Sequence, residues 1–197
     1  MIPPAQRGFG TDREQFWALI ETAKVATGSD CRAQTAQLVA ALRQRSVGEV
    51  LAWDRIHREL MAESYGWDLW GAAYLINGGC SDDGFDYFRG WLLGQGHAIW
   101  EAALADPDSL ADHPEVRAHR PDQEFRVYFE CEDILGVADH AYEALTGQEF
   151  TVEVSGMRPW PPPLGQDWDF DDAAEMRRRY PRLWAICGWE EVSSTSS

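Results

Sequence analysis

The stretch Tyr65–Trp91, YGWDLWGAAYLINGGCSDDGFDYFRGW, constrains the fold more than any other part of the chain. Its first half, Trp67–Asn77, carries Leu69, Trp70, Ala72, Ala73, Tyr74, Leu75 and Ile76 and leaves almost no polar side. A helix that is apolar all round must be buried, so the rest of the chain has to wrap it. Asn77-Gly78-Gly79 supplies the stop, because glycine takes the left-handed conformation after a last helical turn at little cost. Ser81 is a good N-cap for a second helix, and Asp82 and Asp83 fall in its first turn. There each acid gains about 0.3–1 kcal/mol from the positive end of the helix dipole. Phe85, Phe88 and Leu92 then repeat at helical spacing toward the core, with Trp91 at the edge of the stripe. Arg89 stands three residues after Asp86, close enough to pair with it.

Local signals divide the remainder into helices. Residues 1–10 read as a loose leader. Thr11 and Glu14 match a capping box that opens a helix to about Ala26, with Phe16, Trp17, Ile20 and Ala23 as its stripe. A second helix runs from about Asp30 to Arg45. Ser46 and Glu49 form another capping box, opening a helix that reaches Tyr65 and buries Val50, Trp53, Ile56, Leu60 and Met61. After Trp91 the helix either continues or bends near Gly94-Gln95-Gly96 into Ala98–Leu104, and it ends at Asp106-Pro107, since proline disfavours helix in the residue before it. Residues 106–122 read as a polar connector with one short turn at Asp108–Ala111. A long helix is predicted over Asp122–Thr146, closed by Gly147. Phe150–Val154 (FTVEV) is the one strand-like run, and it has nothing to pair with. Pro159-Trp160-Pro161-Pro162-Pro163 is an extended, polyproline-like segment. Asp171–Tyr180 makes a final short helix terminated by Pro181, and residues 190–197 read as a flexible tail.

The fold expected is all-α: a single-domain bundle of about six or seven helices over residues 11–189, with an extended proline-rich segment near the C-terminus. A length of 197 residues suits one domain with a sizeable core. The net charge of −16 is the strongest bulk signal. It disfavours nucleic acid and anionic membranes as partners and suits a basic protein partner or simple solubility. Of 17 basic residues Lys24 is the only lysine, leaving 17 − 1 = 16 arginines. Cys31, Cys80, Cys131 and Cys187 are far apart and show no CxxC spacing, so neither a zinc knuckle nor a redox pair is indicated. With no apolar signal core and no membrane-length stretch, a cytoplasmic protein with reduced thiols is expected.

Candidate chemistry centres on the organising unit. Trp67, Trp70, Tyr74, Asn77, Tyr87 and Arg89 can surround a cleft near the turn, with Arg89 able to hold a carboxylate. Ser81, Asp82 and Asp83 offer hard oxygen ligands of the kind divalent cations take. Successive helix residues project about 100° apart, however, so the acids read first as helix-start residues and no metal site is assigned. Arg89 reads first as an internal staple to Asp86 or Asp82. Glu130 and Asp133 read as a solvated face in which Arg126 pairs with Glu130, and His97–Glu101 as a surface pair one turn apart. Cys80 opens a helix, but its neighbouring aspartates oppose thiolate formation. No P-loop, dinucleotide fingerprint or nucleophile elbow is present.

Phe16-Trp17, the run LWGAAYLINGGCSDDGFDYFRGWLL, Asp106–Ala111 (DPDSLA) and the late RYPRLW resemble domain-of-unknown-function family 4240, a bacterial and mostly actinobacterial family. The resemblance spans roughly residues 12–185 and implies a compact helical domain, with no activity, cofactor or catalytic residue to carry over. The functional expectation is therefore a non-catalytic interaction or regulatory domain, antitoxin- or immunity-like, with no cofactor assigned. The alternative is a small-molecule- or divalent-metal-binding enzyme with its site at Ser81-Asp82-Asp83 and Arg89.

Overall fold

Caps and glycine stops partition the chain much as their local chemistry dictates. The computed structural model describes residues 13–118, 128–156, 164 and 167–189, and among these residues it is all-α, with no strand. Helix α1 spans Arg13–Thr27, α2 Cys31–Leu42, α3 Val47–Glu63, α4 Trp67–Asn77, α5 Asp82–Gly94 and α6 His97–Ala105. A 3-10 turn over Pro107–Asp112 leads to α7, Pro114–Ala118. A second 3-10 turn, Asp133–Gly136, runs into α8, Val137–Thr146. Helices α9 (Val152–Ser155), α10 (Ala173–Arg179) and α11 (Pro181–Cys187) complete the set.

The Ser46–Glu49 capping box opens α3 with both reciprocal bonds present, and Ser81 caps α5 through the Gly84 N–H. Gly78 ends α4 at φ 65° and Gly147 ends α8 at φ 69°, the left-handed closures their positions called for. Helix α4 buries Leu69, Trp70, Ala72, Ala73, Leu75, Ile76 and Asn77, so the apolar-all-round helix is indeed interior. Helix α5 is the hub: it packs on α1, α2, α4, α6 and the 133–136 turn. Helix α8 lies across α2 and α3, while α11 closes the far side against α4 and the 107–112 turn.

Five expectations are corrected. The long helix over Asp122–Thr146 does not form across its described part: residues 128–131 are non-helical, and regular helix starts only at Val137. Tertiary partners take the backbone donors there. Phe129 N–H goes to Asn77 Oδ1 (3.0 Å) and Cys131 N–H to the Tyr87 carbonyl (2.8 Å). This segment presses so closely on α5 that a Cβ on Gly90 would collide with the Cys131 carbonyl. The FTVEV run, lacking a partner strand, ends in the single turn of α9, closed by Gly156 at φ 64°. The connector after Asp106 holds α7 as well as a turn. Pro181 ends α10 but also starts α11, where a proline at the first helical position loses nothing. Finally, Cys31 and Cys131 form a disulfide, with Cα atoms 5.7 Å apart, so these two thiols are not free; Cys80 and Cys187 are.

The leader, the Thr11 cap, Arg126, the Pro159–Pro163 segment and the tail lie outside the described residues. No helix among the described residues is long and apolar enough to cross a membrane.

Candidate functional site

Most polar side chains of the Tyr65–Trp91 unit are engaged within the fold. Trp70 is buried, stacks on Phe85 with ring centroids 4.8 Å apart, and donates its indole N–H to the Cys80 carbonyl (3.1 Å). Tyr74 donates its hydroxyl to Asp171 (2.6 Å), a bond that pushes the phenol up to about 12. Asn77 is buried, its carbonyl oxygen receiving the Phe129 N–H. Ser81 Oγ receives the Gly84 N–H (3.1 Å), and Asp82 and Asp83 stand exposed in the first turn. Tyr87 lies beside Glu132; desolvation and then that carboxylate raise its pKa. Arg89 is 4% exposed, donates to Asp86 and to the Met61 carbonyl, and lies 4.8 Å from the Phe85 ring centroid and 5.0 Å from that of Tyr65. Its guanidinium therefore ties α5 to the end of α3.

The free thiols and the buried imidazoles are shifted away from their charged forms. Burial, reinforced by Glu130, drives the Cys80 thiol up to about 12, and burial drives Cys187 up to about 11. His57 is buried, stacked on Trp53 at 5.3 Å and pushed down to about 4 by desolvation, then by Arg58 and Arg89. Its neighbour Asp54 is raised to about 6 by burial, which outweighs its ion pair with Arg58 at 2.6 Å. His113 is likewise lowered to about 4 by burial and then Lys24; its Nε2 and the Lys24 ammonium meet on one oxygen, Gln95 Oε1. His97 and Glu101 form the expected surface pair at 3.0 Å. Glu130 and Asp133 do not share a helix, since the chain is non-helical at Glu130. No group of three or more His, Cys, Asp or Glu among the described residues is placed to hold a metal ion.

A cleft opens next to the unit rather than at its turn. It measures about 460 Å³ and lies where the α3–α4 corner (Glu63, Ser64, Gly66, Trp67, Asp68, Leu69) faces Leu104 and Pro107 on one side and Leu164, Trp168 and Arg179 on the other. Of the residues singled out from the sequence, Trp67 alone lines it. Trp168 reaches the cleft because Gly71 leaves room: a Cβ there would stand 2.5 Å from the Trp168 ring and 2.6 Å from the Tyr180 hydroxyl. Arg179 bridges Asp68 (2.6 Å) and Glu175 (2.7 Å) with its Cζ 4.5 Å from the Trp168 ring centroid. The sequence signal for this wall is the aromatic and acidic run Asp167–Phe170, just ahead of the short helix expected over Asp171–Tyr180.

A family model described as a protein of unknown function (DUF4240) matches residues 11–144. No curated protein and no solved structure matches the chain.

Proposed function

The chain belongs to the DUF4240 family, and we propose that it is a non-catalytic interaction domain, of antitoxin, immunity or regulatory type, whose partner is a basic protein. The carrying observation is how the charges are spent. Arg13, Arg58, Arg89, Arg178, Arg179 and Arg182 all bind carboxylates within the chain, whereas Asp82, Asp83, Glu143 and Glu149 stand exposed with no ion pair among the described residues. With a net charge of −16 the unspent surface is acidic, and such a surface steers and selects a cationic one. The state of the reactive side chains supports the same reading: both buried imidazoles are held neutral and both free thiols protonated at pH 7. The alternative, an enzyme built on Ser81-Asp82-Asp83 and Arg89, draws less support, because Arg89, Asn77 and Tyr74 already have partners inside the fold. A cytoplasmic home requires the Cys31–Cys131 bond to form on oxidation, whereas an oxidising compartment would hold it permanently.

The test begins with capture from native lysate and continues with the identified basic partner, purified and titrated. Raising salt from low to physiological strength should weaken binding about tenfold or more, since exposed charges are screened within a Debye length of about 8 Å. The double substitution Asp82→Lys/Asp83→Lys should weaken it further, while lowering stability by only the roughly 1–2 kcal/mol lost with the two helix-start acids, with the helical signal retained. Binding indifferent to both, or turnover of a metabolite by the purified protein alone, would sink the proposal.

A further inference from the structure

We propose that the Cys31–Cys131 bond is a thiol-exchange site: a low-molecular-weight thiol attacks the Cys31 sulfur, and loss of the bond lets residues 128–136 open locally from α5. The two cysteines are unequal. Cys31 is the first residue of α2 and keeps part of its surface in water. Cys131 is 3% exposed, and its carbonyl would stand 2.4 Å from a Cβ on Gly90. An attacking thiolate must reach a sulfur from the side opposite its partner, so access selects Cys31. The thiolate's electron pair makes a new S–S bond to Cys31, and the pair of the old bond leaves with Cys131, which takes up a proton. A second thiol then displaces Cys31, giving the oxidised disulfide of the small thiol and two protein thiols.

Local opening follows from what else holds the segment. Residues 128–132 are non-helical and lead into the single 3-10 turn at Asp133–Gly136. Phe129 N–H to Asn77 and Cys131 N–H to the Tyr87 carbonyl tie the segment to α4 and α5, and Phe129 and Ile134 anchor it by burial. The Arg32–Asp133 pair, at 3.6 Å, is too exposed to add much. Charge works against the contact. Glu130 Oε1 comes within 3.6 Å of where a Cβ on Gly84 would stand, at the acidic start of α5. Beyond burial, Glu130, Asp82 and Asp86 all push the Cys80 thiol up, and beyond desolvation Glu132, Asp83 and Asp86 do the same to the Tyr87 phenol. The segment therefore brings its carboxylates against those of α5, and like charges repel. The cross-link holds the segment down against that repulsion. Its loss raises the open fraction of 128–136 and leaves α8 in place, since α2 and α3 hold that helix. The inference stands apart from the basic-partner reading, because it concerns a covalent bond within the chain.

The experiment is amide hydrogen exchange of the full chain, oxidised and then reduced with dithiothreitol, read peptide by peptide over the first minutes. Uptake at 128–136 should speed up about tenfold or more on reduction, while α3 and α4 keep their protection. Cys31→Ser/Cys131→Ser should show the fast uptake with or without reductant. No acceleration at 128–136, or an equal one in α3 and α4, overturns the local opening. The point of attack is read separately on the oxidised wild-type chain, by brief exposure to glutathione, acid quench and peptide mapping. The adduct should sit on Cys31 about tenfold more often than on Cys131. An adduct chiefly on Cys131, or none at any glutathione concentration, overturns the exchange site.

Discussion

Asp54 and His57 sit one turn apart on α3, and burial moves them in opposite directions. Asp54 holds its proton up to about pH 6 in the fold but only to about its ordinary value of 3.8 when unfolded, so between those values the folded chain binds more protons and stability falls as pH rises. His57 and His113 do the reverse. Each stays neutral down to about pH 4 in the fold yet protonates below about 6.5 when released, so in that window stability rises with pH. Two histidines outweigh one aspartate. Melting should therefore weaken between pH 6.5 and pH 4 by on the order of 2 kcal/mol, discounted for solvent reaching His113 and Asp54. Asp54→Asn removes the opposing term and should steepen the loss; a pH series of urea melts reads both. A stability that rises on acidification across this window would show that the imidazoles are not held neutral. None of this was legible from the sequence, because the cause is burial by elements distant in the chain.

Among the elements, those whose start and stop signals are local were readable, and those capped from afar were not. Ser46 with Glu49, Ser81, Gly78 and Gly147 announce their helices within four residues. Helix α11 has no such sign, since Tyr180 at its cap position offers no side-chain bond. Its cap is Asp108 of the 107–112 turn, whose carboxylate receives the Leu183 N–H at 2.9 Å and the Arg182 N–H at 3.1 Å. Sequence reasoning stopped at Pro181 for want of this partner. Asp108 is 4% exposed and its carboxylate joins two parts of the chain, so Asp108→Ala should cost about 1–3 kcal/mol. Hydrogen exchange should show the loss concentrated at residues 181–187; protection there equal to wild type would refute the capping role. The overextended Asp122–Thr146 helix has the same origin, since its apolar spacing gave no hint that Asn77 and Tyr87 claim the backbone at Phe129 and Cys131.

At the scale of the whole molecule, the Cys31–Cys131 bond closes a loop of 100 residues and ties α2 to the segment ahead of α8. Loop-closure entropy assigns such a cross-link about 4–5 kcal/mol, and native disulfides typically deliver 2–5. Dithiothreitol, or Cys31→Ser/Cys131→Ser, should lower the unfolding free energy read from urea melts by that amount without loss of helical signal. A melt insensitive to reductant, or four titratable thiols in the untreated protein, would count against the bond. Spacing alone could not reveal it, because the two cysteines meet only once α2, α5 and the 133–136 turn are packed. The site was half legible for a related reason: Trp67 was identified, but the opposing wall arrives from Trp168 and Arg179, about a hundred residues later. That late wall has a practical meaning for where the protein is cut. The family match ends at residue 144, while the rings of Trp168, Phe170 and Tyr180 and helix α11 cover the outer flank of α4. A fragment trimmed to the matched residues would strip Phe170 from Trp67 and Tyr74 and leave the Asp108 carboxylate without its amides, a surface prone to self-association. The span matched by the family model is thus shorter than the part needed to keep α4 dry.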